Sequence, residues 1–193
     1  KEKGLRTGSL LSHVYIHEVE GLDRILFVCD PAFNIAPDLN AKVKIVENTV
    51  ELAKSFGVET PKVAVLAAVE VVNPDMPCTL DAAALVQMNR RNQIKGCIID
   101  GPLALDNALS VEAAKHKGIV SEVAGHAEVL LVPDIEAGNI FAKGIVYLTK
   151  NKTAGLVLGA KAPIVLTSRA DSAETKLLSI ASAVALAAYK AKR

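Results

Sequence analysis

One short stretch gathers residue types able to hold an anion. In residues 162–176, APIVLTSRADSAETK, the apolar run Ile164, Val165 and Leu166 breaks into Thr167, Ser168 and Arg169, and Asp171 and Glu174 follow. The run after Pro163 predicts a short buried strand. Asp171 stands where an N-cap belongs, with Glu174 at the third helical position, and apolar periodicity continues through Leu177, Leu178, Ala181, Val184 and Ala185. A strand passing into a helix through one polar turn brings backbone N–H groups, the positive end of a helix dipole, a hydroxyl and a guanidinium toward one point, which suits phosphate. On spacing alone, ordinary turn residues and a capping aspartate account for the same pattern.

Other candidates follow the remaining apolar runs. Asp100-Gly101-Pro102 places a carboxylate and a tight turn at a strand end. PDIEAGN from Pro133 leads to a helix predicted to start near Asn139, so that Gly138 and Asn139 stand at its N-terminus and Lys143 one turn on, a place for a pyrophosphate; an exposed helix lysine explains Lys143 equally. His13 and His17 share one face at the spacing of a metal pair. With β-branched surroundings and no HExxH pattern they read as surface histidines on an edge strand, and no metal site is expected. The sequence has no GxGxxG, GxxxxGK[ST] or GxSxG, so dinucleotide, P-loop and hydrolase readings lose their usual support.

The elements that must position these residues alternate regularly. Residues 9–19 and 25–29 predict an antiparallel strand pair across the turn Glu20-Gly21-Leu22-Asp23. Asn40 then caps a helix over 41–56. Strands at 63–69, 97–100 and 128–133 alternate with helices at 79–91 and 110–117, and a helix toward Leu148, a GLVLG segment at 155–159 and the last strand and helix complete the chain. This order predicts an α/β fold with mainly parallel sheets and helices on both faces, with ligands expected just beyond the strand ends.

Composition narrows the partners. The 193 residues are 51% apolar, and 22 basic against 21 acidic residues leave no field that would favour nucleic acid or an anionic membrane. Cys29, Cys78 and Cys97 lack CxxC spacing and read as reduced thiols of a cytoplasmic protein, closer to core than to nucleophiles. No uncharged run is long enough to span a bilayer. The chain begins at Lys1 without a methionine, as a fragment or a processed product would.

Taken together, SHV from Ser12, DPAFNIAPDLNAK over 30–42, DGPLALDNALS over 100–110, AAKHKGI over 113–119, PDIEAGN over 133–139 and GAKAPIVLTSRADSAETK over 159–176 resemble the phosphate acetyl/butyryltransferase family, most closely its phosphate butyryltransferase branch. The resemblance runs in order along the whole chain. It implies an acyltransferase exchanging a short acyl group between coenzyme A and inorganic phosphate, with coenzyme A as substrate and no permanently bound cofactor. It further implies two α/β domains with an interdomain cleft, isocitrate/isopropylmalate dehydrogenase-like, in a homodimer or larger assembly. On that fold residues 18–156 form the second domain. Residues 1–17 and 157–193 belong to the first, whose N-terminal half, with its phosphate-binding arginines, is absent from this chain.

Residue by residue, Ser168 and Arg169 match the family's SR pair beside the reacting thiol and acyl phosphate. Gly138 and Asn139 match its GN, Lys143 the following lysine, and Lys117 a cleft lysine. The acetyl branch has an aspartate seven residues after that serine, implied as the base for the thiol. Thr175 stands there in this chain, which favours a butyryl or branched-chain substrate and leaves the base open, with Asp171 and Glu174 nearby but both occupied as caps. The implied reaction is direct transfer: phosphate, held by main-chain N–H groups and Arg169, attacks the thioester carbonyl while Ser168 or nearby amides stabilise the oxyanion. Two rivals are a metal- and NAD-dependent dehydrogenase, which would need a cluster among Asp100, Asp106 and Asp134, and a non-catalytic module that binds coenzyme A or an acyl phosphate.

Overall fold

The computed structural model describes residues 4–192. β1 (Ser12–Val19) and β2 (Leu26–Cys29) form the expected antiparallel pair, in register from Val14 opposite Cys29 to His17 opposite Leu26. β1 also pairs along its whole length with β6 (Asn151–Leu158), so it is an interior strand. β3 (Lys62–Leu66), β4 (Ile98–Leu103) and β5 (Val129–Leu131) run parallel to one another, with β5 beside β2. β7 (Ile164–Val165) closes the order β4-β3-β5-β2-β1-β6-β7, antiparallel to β6. The described residues thus form one mixed sheet: beyond the expected antiparallel β1–β2 pair, the mainly parallel expectation is corrected where β6 pairs antiparallel with β1 and with β7.

Alternation along the strands supplies two cores. Val14, Ile16, Phe27, Cys29, Val63, Val65, Val129 and Leu131 point to the face covered by α1 (Leu39–Ser55), α2 (Pro77–Arg90) and α6 (Ala173–Ala191). Leu26, Val28, Ala64, Leu66, Leu130 and Val132 point to the face covered by α3 (Leu105–Leu109), α4 (Val111–His116) and α5 (Ile135–Leu148). Helices therefore cover both faces, as the sequence predicts. None of the described helices is long and apolar enough to cross a membrane.

Capping chemistry moves several predicted boundaries. Asp38, and not Asn40, caps α1 by accepting from Ala41 N at 2.8 Å. α2 starts at Pro77, whose missing N–H is no loss in a first turn. The helix expected over 110–117 is α4, capped by Ser110, and an additional short helix, α3, ends at the same serine. α5 starts at Ile135 under an Asp134 cap, which places Gly138 and Asn139 one turn inside the helix and not at its start. GLVLG is the end of the longer β6, whose first residues, Asn151, Lys152 and Thr153, are polar.

Strand direction sorts the loops. β2, β3 and β5 deliver their carboxyl ends, at Cys29, Leu66 and Leu131, to one edge of the sheet. β7 runs the other way, so Thr167, Ser168 and Arg169 head toward the opposite edge, where β6 begins.

Candidate functional site

After β7 the chain crosses β6 and closes a small turn. Leu166 N donates to Gly155 O at 3.3 Å. Ser168 N then donates to Asp171 Oδ2 at 2.6 Å, and Asp171 N returns a bond to Ser168 O at 3.1 Å. The N-cap of α6 is Ser172, whose Oγ accepts from Thr175 N at 3.1 Å. This corrects the expected capping role of Asp171: its carboxylate braces the Ser168 turn one residue before the cap. Glu174 is the second helical residue and not the third. Ser168 is half-buried; Arg169 is exposed and has no hydrogen-bond or ion-pair partner among the described residues.

Asp171 and Thr175 open onto a polar cavity of about 490 Å³ shared with Tyr147, Asn151, Thr153 and Glu174. Beside it, burial first and the Asp171 charge second push the Tyr15 hydroxyl upward. Asp171 and Thr175 line this cavity, and the adjoining Ser168–Arg169 turn adds a hydroxyl and a guanidinium with no partner among the described residues, the groups an anion and an ionising thiol require.

The histidines next to this cluster are where the sequence reading fails. His13 and His17 are 1% and 0% exposed on an interior strand, and not at a surface edge. Tyr15 stands between them, its ring centroid 4.6 Å from that of His13 and 5.7 Å from that of His17. Thr153 Oγ1 donates its one proton to Asn151 Oδ1 at 2.5 Å, so its contact with His17 Nδ1 at 3.1 Å makes that nitrogen the donor. His17 Nε2 and His13 Nδ1 are buried without partners. Desolvation, then the neighbouring His13, lowers His17 to about 4. Desolvation also lowers His13, opposed by Asp30, the Leu166 carbonyl and Asp171. One signal was available: HVYIH is apolar or aromatic on both faces, the pattern of a strand covered on both sides.

The other predicted residues lie elsewhere. Gly138 packs where a Cβ would meet Val132 Cγ2 at 2.6 Å and Pro31 Cα at 2.9 Å, and Asn139 Nδ2 donates to Pro31 O at 3.2 Å. Both belong to the N-terminal half of α5, whereas Tyr147 lies near its C-terminus, and the helix is about 20 Å long. Lys143 is exposed. Lys117 follows α4 and pairs with Asp106 at 3.3 Å and Glu70 at 3.5 Å, and the Asp106 carboxylate raises its pKa.

At the carboxyl ends of β3 and β5 lies a feature that motif reading passed over: an apolar cavity of about 630 Å³. Leu66, Met76, Pro77, Val132 and Phe141 line it, together with the ion pair of Lys42 Nζ and Asp81 Oδ2 at 2.6 Å. Cys78 lines it too and is half-buried, unlike the core residues Cys29 and Cys97. Desolvation raises the thiols of Cys29 and Cys97 to about 12 and about 11.

Comparison with known proteins places these features in a lineage. The family model described as "Phosphate acetyl/butaryl transferase" matches residues 1–185. Phosphate butyryltransferase of Clostridium acetobutylicum is 56% identical over 190 residues, covering 98% of this chain and 63% of that protein. Phosphate acetyltransferase of Thermotoga maritima is 56% identical over 178 residues, covering 92% and 60%. The crystal structure of a branched-chain phosphotransacylase from Enterococcus faecalis V583 superimposes with a TM-score of 0.88 at 36% identity, covering 96% of this chain and 66% of that one. The chain thus spans about three fifths of the length of these two sequence relatives.

Proposed function

Since the chain belongs to the phosphate acetyl/butaryl transferase family, we propose that the complete protein exchanges a short acyl group, butyryl or branched-chain, between coenzyme A and inorganic phosphate. The observation that carries this reading is the Ser168 turn, braced by Asp171 while Arg169 stays unpaired among the described residues. A phosphate oxygen, its dianion held by Arg169, attacks the thioester carbonyl. The new C–O bond forms, Ser168 stabilises the oxyanion, and the C–S bond breaks to release the coenzyme A thiolate, leaving an acyl phosphate. In reverse the thiol must lose its proton. Ser172 serves as the cap and Asp171 Oδ2 as the brace, so Asp171 Oδ1 takes it, and Arg169 stabilises the thiolate. Lys117, already matched by two carboxylates, contributes to the field of the cleft, and Asn139 and Lys143 contact the more distant parts of coenzyme A, with Gly138 packing their helix against Val132 and Pro31.

The same reading assigns β7 and α6 to the border with a further α/β domain across an interdomain cleft, on an isocitrate/isopropylmalate dehydrogenase-like plan, with boundaries near residues 17 and 157. Supporting it is an apolar face with no cover: Leu177, Ile180 and Val184 of α6 are 65%, 52% and 63% exposed, beside Val165 and Leu166. The protein works in the cytoplasm as a homodimer or larger assembly; its unpaired cysteines fit a reducing compartment.

Relatives of equal identity carry butyryl and acetyl names, so acetyl transfer is the second reading, and Thr175 is what favours the first. The deciding experiment measures thiol release by the complete protein from butyryl-, isobutyryl- and acetyl-CoA, with and without phosphate. Phosphate-dependent release fastest with a four-carbon chain is expected. Fastest release with acetyl-CoA reverses the substrate assignment. Release without phosphate indicates hydrolysis, and binding without release indicates a non-catalytic module.

A further inference from the structure

Among the described residues, the Ser168 turn itself makes no hydrogen bond to a strand. β7 contributes two paired residues, and the hydrogen bonds joining Ser168 to Asp171 close the turn on itself. Upstream it is tied to the sheet through Leu166, and downstream through α6, where Gly155 N donates to Ser179 Oγ at 3.0 Å. Leu166 O and His13 Nε2 both face the space over Gly155: a Cβ built there would lie 2.5 Å from the carbonyl oxygen and 3.3 Å from the imidazole nitrogen. Glycine leaves that space open for both. The ring of Tyr15 meets His13 edge-on at 4.6 Å and limits its rotation.

We propose that His13 is a positioning residue for the Ser168–Arg169 turn: by presenting Nε2–H to the Leu166 carbonyl over Gly155, it sets where the turn stands relative to the reacting groups. The assignment rests on the reading that this turn meets phosphate and thioester.

A carbonyl only accepts, so the nitrogen facing it carries the proton and Nδ1 is left with a bare lone pair. That Nδ1 is buried and unpartnered. Asp30, the one buried carboxylate among the described residues, cannot supply a donor. Its oxygens already accept from Ala32 N, Phe33 N, Asn34 N and Asn34 Nδ2 at 3.2, 3.0, 3.3 and 2.5 Å. As mere core filling the imidazole is a poor choice, since leucine or methionine would occupy the space without an orphaned acceptor. A role for Nε2 accounts for keeping it. The arrangement also joins the two halves of the site, because Asp171, which braces the turn, is among the charges that act on His13.

The test uses the complete protein with His13→Leu, His13→Gln and wild type, and His13→Met in place of the first if leucine is not accommodated. Glutamine can offer an amide N–H near the Nε2 position; leucine and methionine cannot. His13→Leu is expected to melt no lower than wild type, yet lose on the order of 10- to 100-fold in kcat for phosphate-dependent release from butyryl-CoA. Its Kd for butyryl-CoA by titration calorimetry should change by less than about 3-fold. Glutamine should restore most of kcat. Independently of turnover, amide exchange at Ser168 and Asp171 should accelerate in His13→Leu and return toward wild type in His13→Gln. Wild-type kcat in His13→Leu, equal damage from Leu and Gln, or unaltered exchange overturns the proposal. A wild-type protein without phosphate-dependent release overturns the functional reading instead, and the exchange measurement still judges His13.

Discussion

The two cavities at opposite ends of α5 share almost no chemistry. The one at its N-terminal end is walled by Leu66, Met76, Pro77, Val132 and Phe141, and its one buried charge, Lys42, is matched by Asp81. The one at its C-terminal end is lined by Asn151, Thr153, Asp171, Glu174 and Thr175. The difference follows from strand direction. Parallel strands bring apolar carboxyl ends together at one edge, while the reversed β7 carries Ser168 and Arg169 toward the other. In a sheet of mixed direction, the end at which a ligand sits cannot be inferred from the parallel strands alone.

The division predicts that chemistry stays at the polar end, and the strongest way to break it is Arg169→Ala. Phosphate-dependent coenzyme A release by the complete protein should fall by about 10² to 10³ in kcat/KM for phosphate, measured by thiol titration. A smaller loss than for Lys117→Ala would move the reacting centre to the other edge of the sheet.

Acid sharpens the same contrast, because His17 lies at the polar end, opposite Thr153. His17 is lowered from 6.5 to about 4 in the folded chain. Between those values the unfolded chain binds the extra proton and the folded one does not. Stability is therefore greatest above about pH 6.5 and falls as pH drops toward 4, by on the order of 3 kcal/mol. Urea unfolding at pH 7 and pH 4.5 should show this loss, and His17→Gln should flatten it.

Gly138→Ala tests the apolar end as packing. With a Cβ 2.6 Å from Val132 Cγ2 and 2.9 Å from Pro31 Cα, α5 must shift, at a cost of about 1–3 kcal/mol. A lower Tm with little change in kcat is expected. Loss of kcat at unchanged Tm would return Gly138 to the reacting site.

The smallest effect belongs to Cys78. A thiol reagent should modify it well before Cys29 and Cys97, which are buried with thiols raised to about 12 and about 11. Peptide mass spectrometry reads the order. Labelling should change phosphate-dependent release by less than about 2-fold, as expected away from transition-state contacts; abolished release would show that the chemistry extends into the apolar cavity.

Local sequence determined a good deal of this protein. Apolar runs bounded by turn residues marked all the strands except the polar beginning of β6, and the Ser168 turn was recognisable because a strand, a polar break and a cap follow within a few residues. Helix starts slipped by one to four residues where two cap-forming residues compete: Asp38 with Asn40, Asp134 with Asn139, Asp171 with Ser172. A side-chain oxygen caps whichever turn the chain's arrival angle presents to it, and that angle is set by packing.

Tertiary structure alone decided the rest. The pairing of β1 with β6, 132 or more residues apart in sequence, turned His13 and His17 from expected surface residues into buried neighbours of the Ser168 turn. The reversed direction of β7 likewise carried Ser168 toward the edge of the sheet opposite Gly138 and Lys117, which sequence order allows to meet. The physical reason is the same in each case: periodicity reports which side of an element is apolar, whereas strand neighbours and direction depend on long-range pairings that leave no local trace.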